Sequence, residues 1–192
     1  MKIGILSIQG DFLLHKKNLD YLLVDNIYVR TEEELKKCDA LIIPGGESTT
    51  MSLLLDKFNL FDCIVYFSKK KSLFGTCAGS ILMSKDSDDH RIKNIDCINL
   101  KTVRNSWGKQ IDSFSDYIEL SDNIDICKDR KIYSTFIRAP KFSNISESCT
   151  ILGHYNNEPV LIRNQKHLVA SFHPELDNSY CVYKYFLKMI ND

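Results

Sequence analysis

Apolar positions along this chain gather into short, nearly unbroken runs instead of one repeating stripe. Residues 3–8, 40–43, 73–75, 160–162 and 168–172 have the length and apolar continuity of strands buried on both faces. Between the early runs, residues 12–24, 49–56 and 60–67 carry helical spacing. Strand and helix alternating in this rhythm predict βαβ units and a mainly parallel central sheet flanked by helices. The middle of the chain, 98–137, reads differently. Short alternating segments such as 118–120 and 133–137 are divided by polar turns, which predicts antiparallel additions to the sheet. A closing helix over 180–190 places Tyr183, Phe186, Leu187 and Ile190 on one face. The stretch 84–94, rich in Asp, Lys and Ser, is expected to be a mobile loop. With 192 residues and no internal repeat, the expectation is one α/β domain spanning 1–192.

Composition narrows the class. Lys and Arg number 25 against 25 Asp and Glu, a net charge of +0. Such a chain has no overall field to attract nucleic acid or an anionic membrane, and the one basic cluster, Lys69-Lys70-Lys71, reads as a solvated helix end. The 7 cysteines include no Cys-x-x-Cys pair, so their spacing suits neither a zinc knuckle nor a disulfide framework. Mostly free thiols, and a strand pattern from the first residues onward, point to a reducing, cytoplasmic setting.

The chemistry concentrates in three segments. Phe74-Gly75-Thr76-Cys77-Ala78-Gly79 carries an apolar strand into a glycine-flanked cysteine and then a helical pattern. That is the arrangement of a nucleophile elbow, with small neighbours where the chain packs tightly and the thiol at a helix N-terminus that favours thiolate. Of five histidines, His173 directly follows a buried strand, where open α/β sheets place their sites. Glu175, two residues on, can return to the imidazole and fix its tautomer, the third role of a triad. Pro44-Gly45-Gly46-Glu47-Ser48-Thr49-Thr50 follows another strand, and its paired glycines allow close backbone approach to an oxyanion. Ser48 or Thr49 could also cap the next helix. No Gly-Lys-Ser/Thr or Gly-x-Gly-x-x-Gly occurs, which excludes the phosphate-loop and dinucleotide readings.

In this order the three segments resemble the class I, triad-type glutamine amidotransferases. Leu6-Ser7-Ile8-Gln9-Gly10, Arg104-Asn105-Ser106-Trp107-Gly108, Asp112-Ser113-Phe114, Ile137-Arg138-Ala139-Pro140 and Ser171-Phe172-His173-Pro174-Glu175-Leu176 are similar to the family of glutaminase subunits of pyridoxal 5′-phosphate synthase, nearly end to end. The resemblance implies a flavodoxin-like fold and hydrolysis of L-glutamine to L-glutamate and ammonia through a γ-glutamyl thioester. Cys77 would be the nucleophile, His173 the proton carrier and Glu175 its orienter. Gly46 and Ala78 would supply the oxyanion N–H groups, and Gly46, Glu47, Ser48, Arg104, Ile137 and Arg138 would bind glutamine. It implies no metal or prosthetic group. The implied partner is a (β/α)8-barrel synthase subunit, in an assembly of up to 12 + 12 subunits, that receives the ammonia for vitamin B6 synthesis. Trp107, and Asp11-Phe12 after Gln9-Gly10, depart from the family pattern. Gln9 could face the oxyanion region but stands outside the expected site. Two alternatives share part of the pattern: a glutaminase subunit of another synthase, such as the one for imidazole glycerol phosphate, and a catalytically silent regulatory module.

Overall fold

The computed structural model describes residues 1–104, 106, 113–121, 127, 129–177 and 180–191. Asn105, Trp107, Gly108 and Asp112, singled out above, lie outside the described residues. In chain order the first elements are β1 (Lys2–Leu6), α1 (Phe12–Tyr21), β2 (Asp25–Val29), α2 (Glu32–Leu35), β3 (Ala40–Ile43), α3 (Ser48–Lys57), α4 (Phe61–Ser68), β4 (Ser72–Thr76) and α5 (Ala78–Met83). There follow β5 (Ser84–Ser87), β6 (Ile98–Val103), β7 (Ser113–Leu120), β8 (Lys131–Ile137), β9 (Lys141–Ser143), β10 (Thr150–Tyr155), β11 (Glu158–Arg163), β12 (Leu168–Ala170), a 3-10 turn (Pro174–Leu176) and α6 (Cys181–Asn191).

One nine-stranded sheet, ordered β2-β1-β3-β4-β12-β11-β10-β7-β8, carries the molecule. From β2 to β12 every pairing is parallel; from β12 to β8 every pairing is antiparallel. The expected parallel core with antiparallel additions is therefore present. A small second sheet, β5-β6-β9, was not anticipated. Strand alternation sorts the core into two layers. Ile3, Ile5, Ala40, Ile42 and Phe74 face Leu19 of α1 and Tyr183 and Phe186 of α6. Leu41, Ile43 and Leu73 face Met51, Leu55 and Ile64 of α3 and α4. Each such large side chain, once buried, contributes about 1.5–3 kcal/mol. Among the described residues no helix is long and apolar enough to cross a membrane.

The chain visits β2 on one side of β1 and then β3 on the other, so the carboxyl ends of these strands bracket a topological switch point where open α/β sheets hold ligands. Gln9 follows β1, the Pro44–Ser48 loop follows β3, Cys77 follows β4, and His173 lies just past β12.

Two expectations need correction. The stretch 84–94 is a tied segment. Ser84–Ser87 forms β5, Ile92 is buried, and the Asn94 amide donates to Ile81 O at 2.7 Å. Ser84, Ser87, Asp89, Arg91, Lys93 and Asn94 all hold hydrogen bonds. Helix α1 also stops at Tyr21, short of 24, because Leu23 adopts φ 57°, outside the helical region.

Candidate active site

Cys77 occupies the strand-to-helix turn between β4 and α5 with φ 46° and ψ −107°, a strained conformation for a side chain with a Cβ. The turn holds because its neighbours are small. A Cβ on Gly79 would lie 2.0 Å from Ile43 O, so no larger residue fits without moving β3. The backbone is pinned from the other side by Cys77 N–H donating to Ala170 O at 2.9 Å. The thiol is buried at 6% exposure and points at Ile137 O, 3.6 Å away.

His173 is brought to the same place by the end of β12 and by its N–H, which donates to Thr135 O of β8 at 2.8 Å. A Cβ on Gly45 would sit 2.5 Å from His173 Cε1 and 3.4 Å from Cys77 Cβ; this glycine is the floor on which thiol and imidazole meet. His173 Nδ1 and Glu175 Oε1 are 2.7 Å apart, and Pro174 begins the tight 3-10 turn that returns the carboxylate to the ring. Among the described residues, His173 Nε2 is buried without a hydrogen-bond partner, open to a proton from sulfur. Burial alone would lower the imidazole pKa; the Cys77 thiol and the Glu175 carboxylate on its two sides outweigh this and raise it above the ordinary histidine value. Burial would likewise raise the Glu175 pKa, but His15 and His173 hold it below the usual carboxylate value.

Around the thiol a cavity of about 280 Å³ is lined by Gln9, Gly46, Ala78, Arg104, Arg138 and His173, among others. That is room for one amino acid. Glu47, Ser48 and Ile137 line it too, so all nine residues expected from the sequence other than Glu175 border the cavity, and Glu175 stands directly behind His173. A larger cavity of about 450 Å³, bordered by Cys38, Cys63 and Lys70, has no such constellation.

The structure adds detail at four of these residues. Glu47, not Ser48 or Thr49, caps α3, accepting from Thr49 N at 3.3 Å and Thr50 N at 2.6 Å. Burial would raise its pKa, yet these hydrogen bonds bring it down to about 2. Arg104 is ion-paired with Asp89 and lies 3.9 Å from Glu47 Oε1, so one cationic wall of the cavity is held by internal carboxylates. Arg138 is exposed on a left-handed residue, φ 44°, immediately past β8. Gln9, left outside the expected site, belongs to it: its Oε1 accepts from Glu47 N at 2.9 Å and holds the glycine loop in place. Its position at the end of a buried strand was the available signal. Among the described residues one cluster of metal-capable groups, Asp11, His173 and Glu175, also borders the site, but the imidazole and carboxylate are already hydrogen-bonded to each other.

Comparison with known proteins shows the family. The model of the SNO glutamine amidotransferase family matches residues 5–192. The chain is 42% identical to "Pyridoxal 5'-phosphate synthase subunit PdxT" of Thermosipho africanus, over 99% of each chain. It is 40% identical to the PdxT of Francisella tularensis subsp. holarctica over 98% of each. Among solved structures, one described as a glutamine amidotransferase superposes with a TM-score of 0.90 at 34% identity, covering 99% of both chains. PurLQS from Thermotoga maritima, at 12% identity and TM-score 0.73, shares the fold.

Proposed function

The chain belongs to the SNO glutamine amidotransferase family, and from that premise we propose that it is the glutaminase subunit of a pyridoxal 5′-phosphate synthase, with residues 1–192 acting as one amidotransferase domain. The observation that carries the assignment of roles is the convergence of the Cys77 thiol, the His173 imidazole and the Glu175 carboxylate beside an amino-acid-sized cavity.

Cys77 attacks the side-chain amide carbon of L-glutamine, and the thiol proton is held by His173. The oxyanion that develops is met by the backbone N–H groups of Gly46 and Ala78, both of which line the cavity. Collapse expels ammonia, protonated by His173, and leaves a γ-glutamyl thioester on Cys77. His173 then takes a proton from water, which attacks the thioester and releases L-glutamate with the thiol restored. Glu175 keeps the imidazole in one tautomer and supports its charged form. Glutamine's α-carboxylate is bound by Arg104 and Arg138, a guanidinium fork suiting a carboxylate, and joins or displaces Asp89 on Arg104. Gly46, Glu47, Ser48 and Ile137 complete the pocket.

The ammonia is passed to a synthase subunit, read as a (β/α)8 barrel in an assembly of up to 12 + 12 subunits in the cytoplasm. The pyridoxal group is the product of the assembly, and the glutaminase chemistry is carried by side chains and backbone N–H groups. A glutamine analogue bearing a diazoketone at the reacting carbon tests the roles. The expected result is one covalent adduct on Cys77, blocked by excess glutamine and absent in Cys77→Ala. Labelling spread over other cysteines, or none at Cys77, would overturn the assignment.

A further inference from the structure

Behind the triad lies a second buried titratable group that the reaction as written does not use. His15 of α1 is fully buried, 0% exposed. Its Nε2 is 3.5 Å from Glu175 Oε2 and 3.2 Å from Thr76 Oγ1, and its Nδ1 is 2.7 Å from the Tyr183 hydroxyl of α6. Glu175 Oε2 is the carboxylate oxygen turned away from His173, and among the described residues it is buried with no hydrogen bond of its own. A buried carboxylate oxygen without support is costly, so its surroundings matter.

Chemistry chooses the tautomer. Burial keeps His15 neutral, its pKa lowered despite the nearby Glu175 carboxylate, so the ring has one N–H to place. The Tyr183 phenol, whose own pKa burial raises, remains protonated and can donate to Nδ1. The N–H then sits on Nε2, toward Glu175 and the Thr76 oxygen. The opposite tautomer would set a lone pair against a carboxylate. At 3.5 Å the contact is a charge–dipole interaction, unscreened because both side chains are wholly buried. Glu175 is also gripped through its backbone, Asn18 donating to Glu175 O at 3.2 Å.

We propose that His15 is a positioning residue of the triad: held by Tyr183 in the tautomer that presents Nε2–H to the inner oxygen of Glu175, it fixes the carboxylate that orients His173. The proposal rests on the glutaminase reading of Cys77, His173 and Glu175. The titratable groups around His15 are Asp11 at the start of α1, His173, Glu175 and Tyr183. Of these, Glu175 alone is a carboxylate in contact with the ring.

Three variants test it: His15→Phe, which keeps a planar ring without a donor; His15→Gln, whose amide nitrogen restores a donor near Nε2; and Tyr183→Phe, which removes one oxygen. For each, kcat and KM for glutamine hydrolysis are measured, together with the pH profile of iodoacetamide alkylation at Cys77, located by peptide mass. His15→Phe is expected to lower kcat about tenfold or more, leave KM within about twofold, and move the alkylation midpoint up by about one pH unit. His15→Gln recovers most of both, and Tyr183→Phe falls between. A folded His15→Phe with unchanged kcat and profile, or a His15→Gln no better than it, would overturn the proposal. If His15→Phe fails to fold, an unchanged Tyr183→Phe overturns it instead. Should the wild-type chain hydrolyse no glutamine with its synthase present, the glutaminase reading fails. The alkylation profile would still report whether His15 acts on the thiol through Glu175 and His173.

Discussion

At the scale of single residues, the proposed chemistry depends on a thiol, an imidazole and a carboxylate buried together. Their mutual support is visible in opposite shifts, His173 raised and Glu175 lowered, each against the pull of burial. Replacing Glu175 with Gln removes the charge that favours imidazolium and is expected to lower kcat by about 10²-fold or more with little change in KM, measured by steady-state glutamate release. Cys77→Ala should abolish hydrolysis while the circular dichroism spectrum and melting temperature stay close to wild type, since the alanine keeps the elbow. That Cys77, His173 and Glu175 come together was legible in the sequence because each sits in a motif with a local mechanical reason: glycines around the cysteine, a strand end before the histidine, a proline between histidine and glutamate. His15 was not legible. Its role is made by α6 and the 3-10 turn arriving from more than 150 positions away, at |i−j| of 168 for Tyr183. A histidine on an amphipathic helix gives no local sign of that.

At the scale of elements, the elbow is the most demanding part of the fold. Gly79→Ala would drive a methyl group to within 2.0 Å of Ile43 O in β3, where no side chain can give way. The expected cost is at least about 2 kcal/mol in urea unfolding, with glutaminase activity lost along with the elbow geometry. Strands β4 and β12 are clasped by His167, whose Nδ1 accepts from Leu73 N at 3.2 Å. Burial, with Lys166 adding to it, lowers its pKa to about 4. The unfolded chain therefore binds a proton that the folded one refuses between about pH 6.5 and 4, and stability is full above that window and falls as pH drops through it. From pH 7 to 5 the loss from this group is about 2 kcal/mol. His167→Asn keeps an acceptor without a titration, so urea unfolding should show that variant losing correspondingly less. The buried strands and the long helices were readable from apolar runs. β2 was not: Asp25–Val29 is an edge strand with four of its five residues at least partly exposed, and its short apolar stretch, Ile27–Val29, follows two polar residues. The sheet β5-β6-β9 was hidden for a related reason, as Ser84–Ser87 pairs through its backbone while its side chains read as a loop.

At the scale of the whole molecule, one half of the sheet makes the site and the other half closes it. The parallel strands β1, β3, β4 and β12 deliver Gln9, the glycine loop, Cys77 and His173 to one edge. The antiparallel strand β8 supplies Ile137, and the residue just past it Arg138, across the cavity, and pins His173 through Thr135. Between them Cys77 is buried, 6% exposed. The measurement that tests the proposed function most directly is glutamate release from L-glutamine by the purified chain, alone and mixed with a pyridoxal 5′-phosphate synthase barrel subunit. A low rate alone that rises strongly with the barrel, and vanishes in Cys77→Ala under both conditions, is the predicted result. A folded wild-type chain that releases no glutamate with its cognate barrel, or a Cys77→Ala variant that matches wild type, would contradict it.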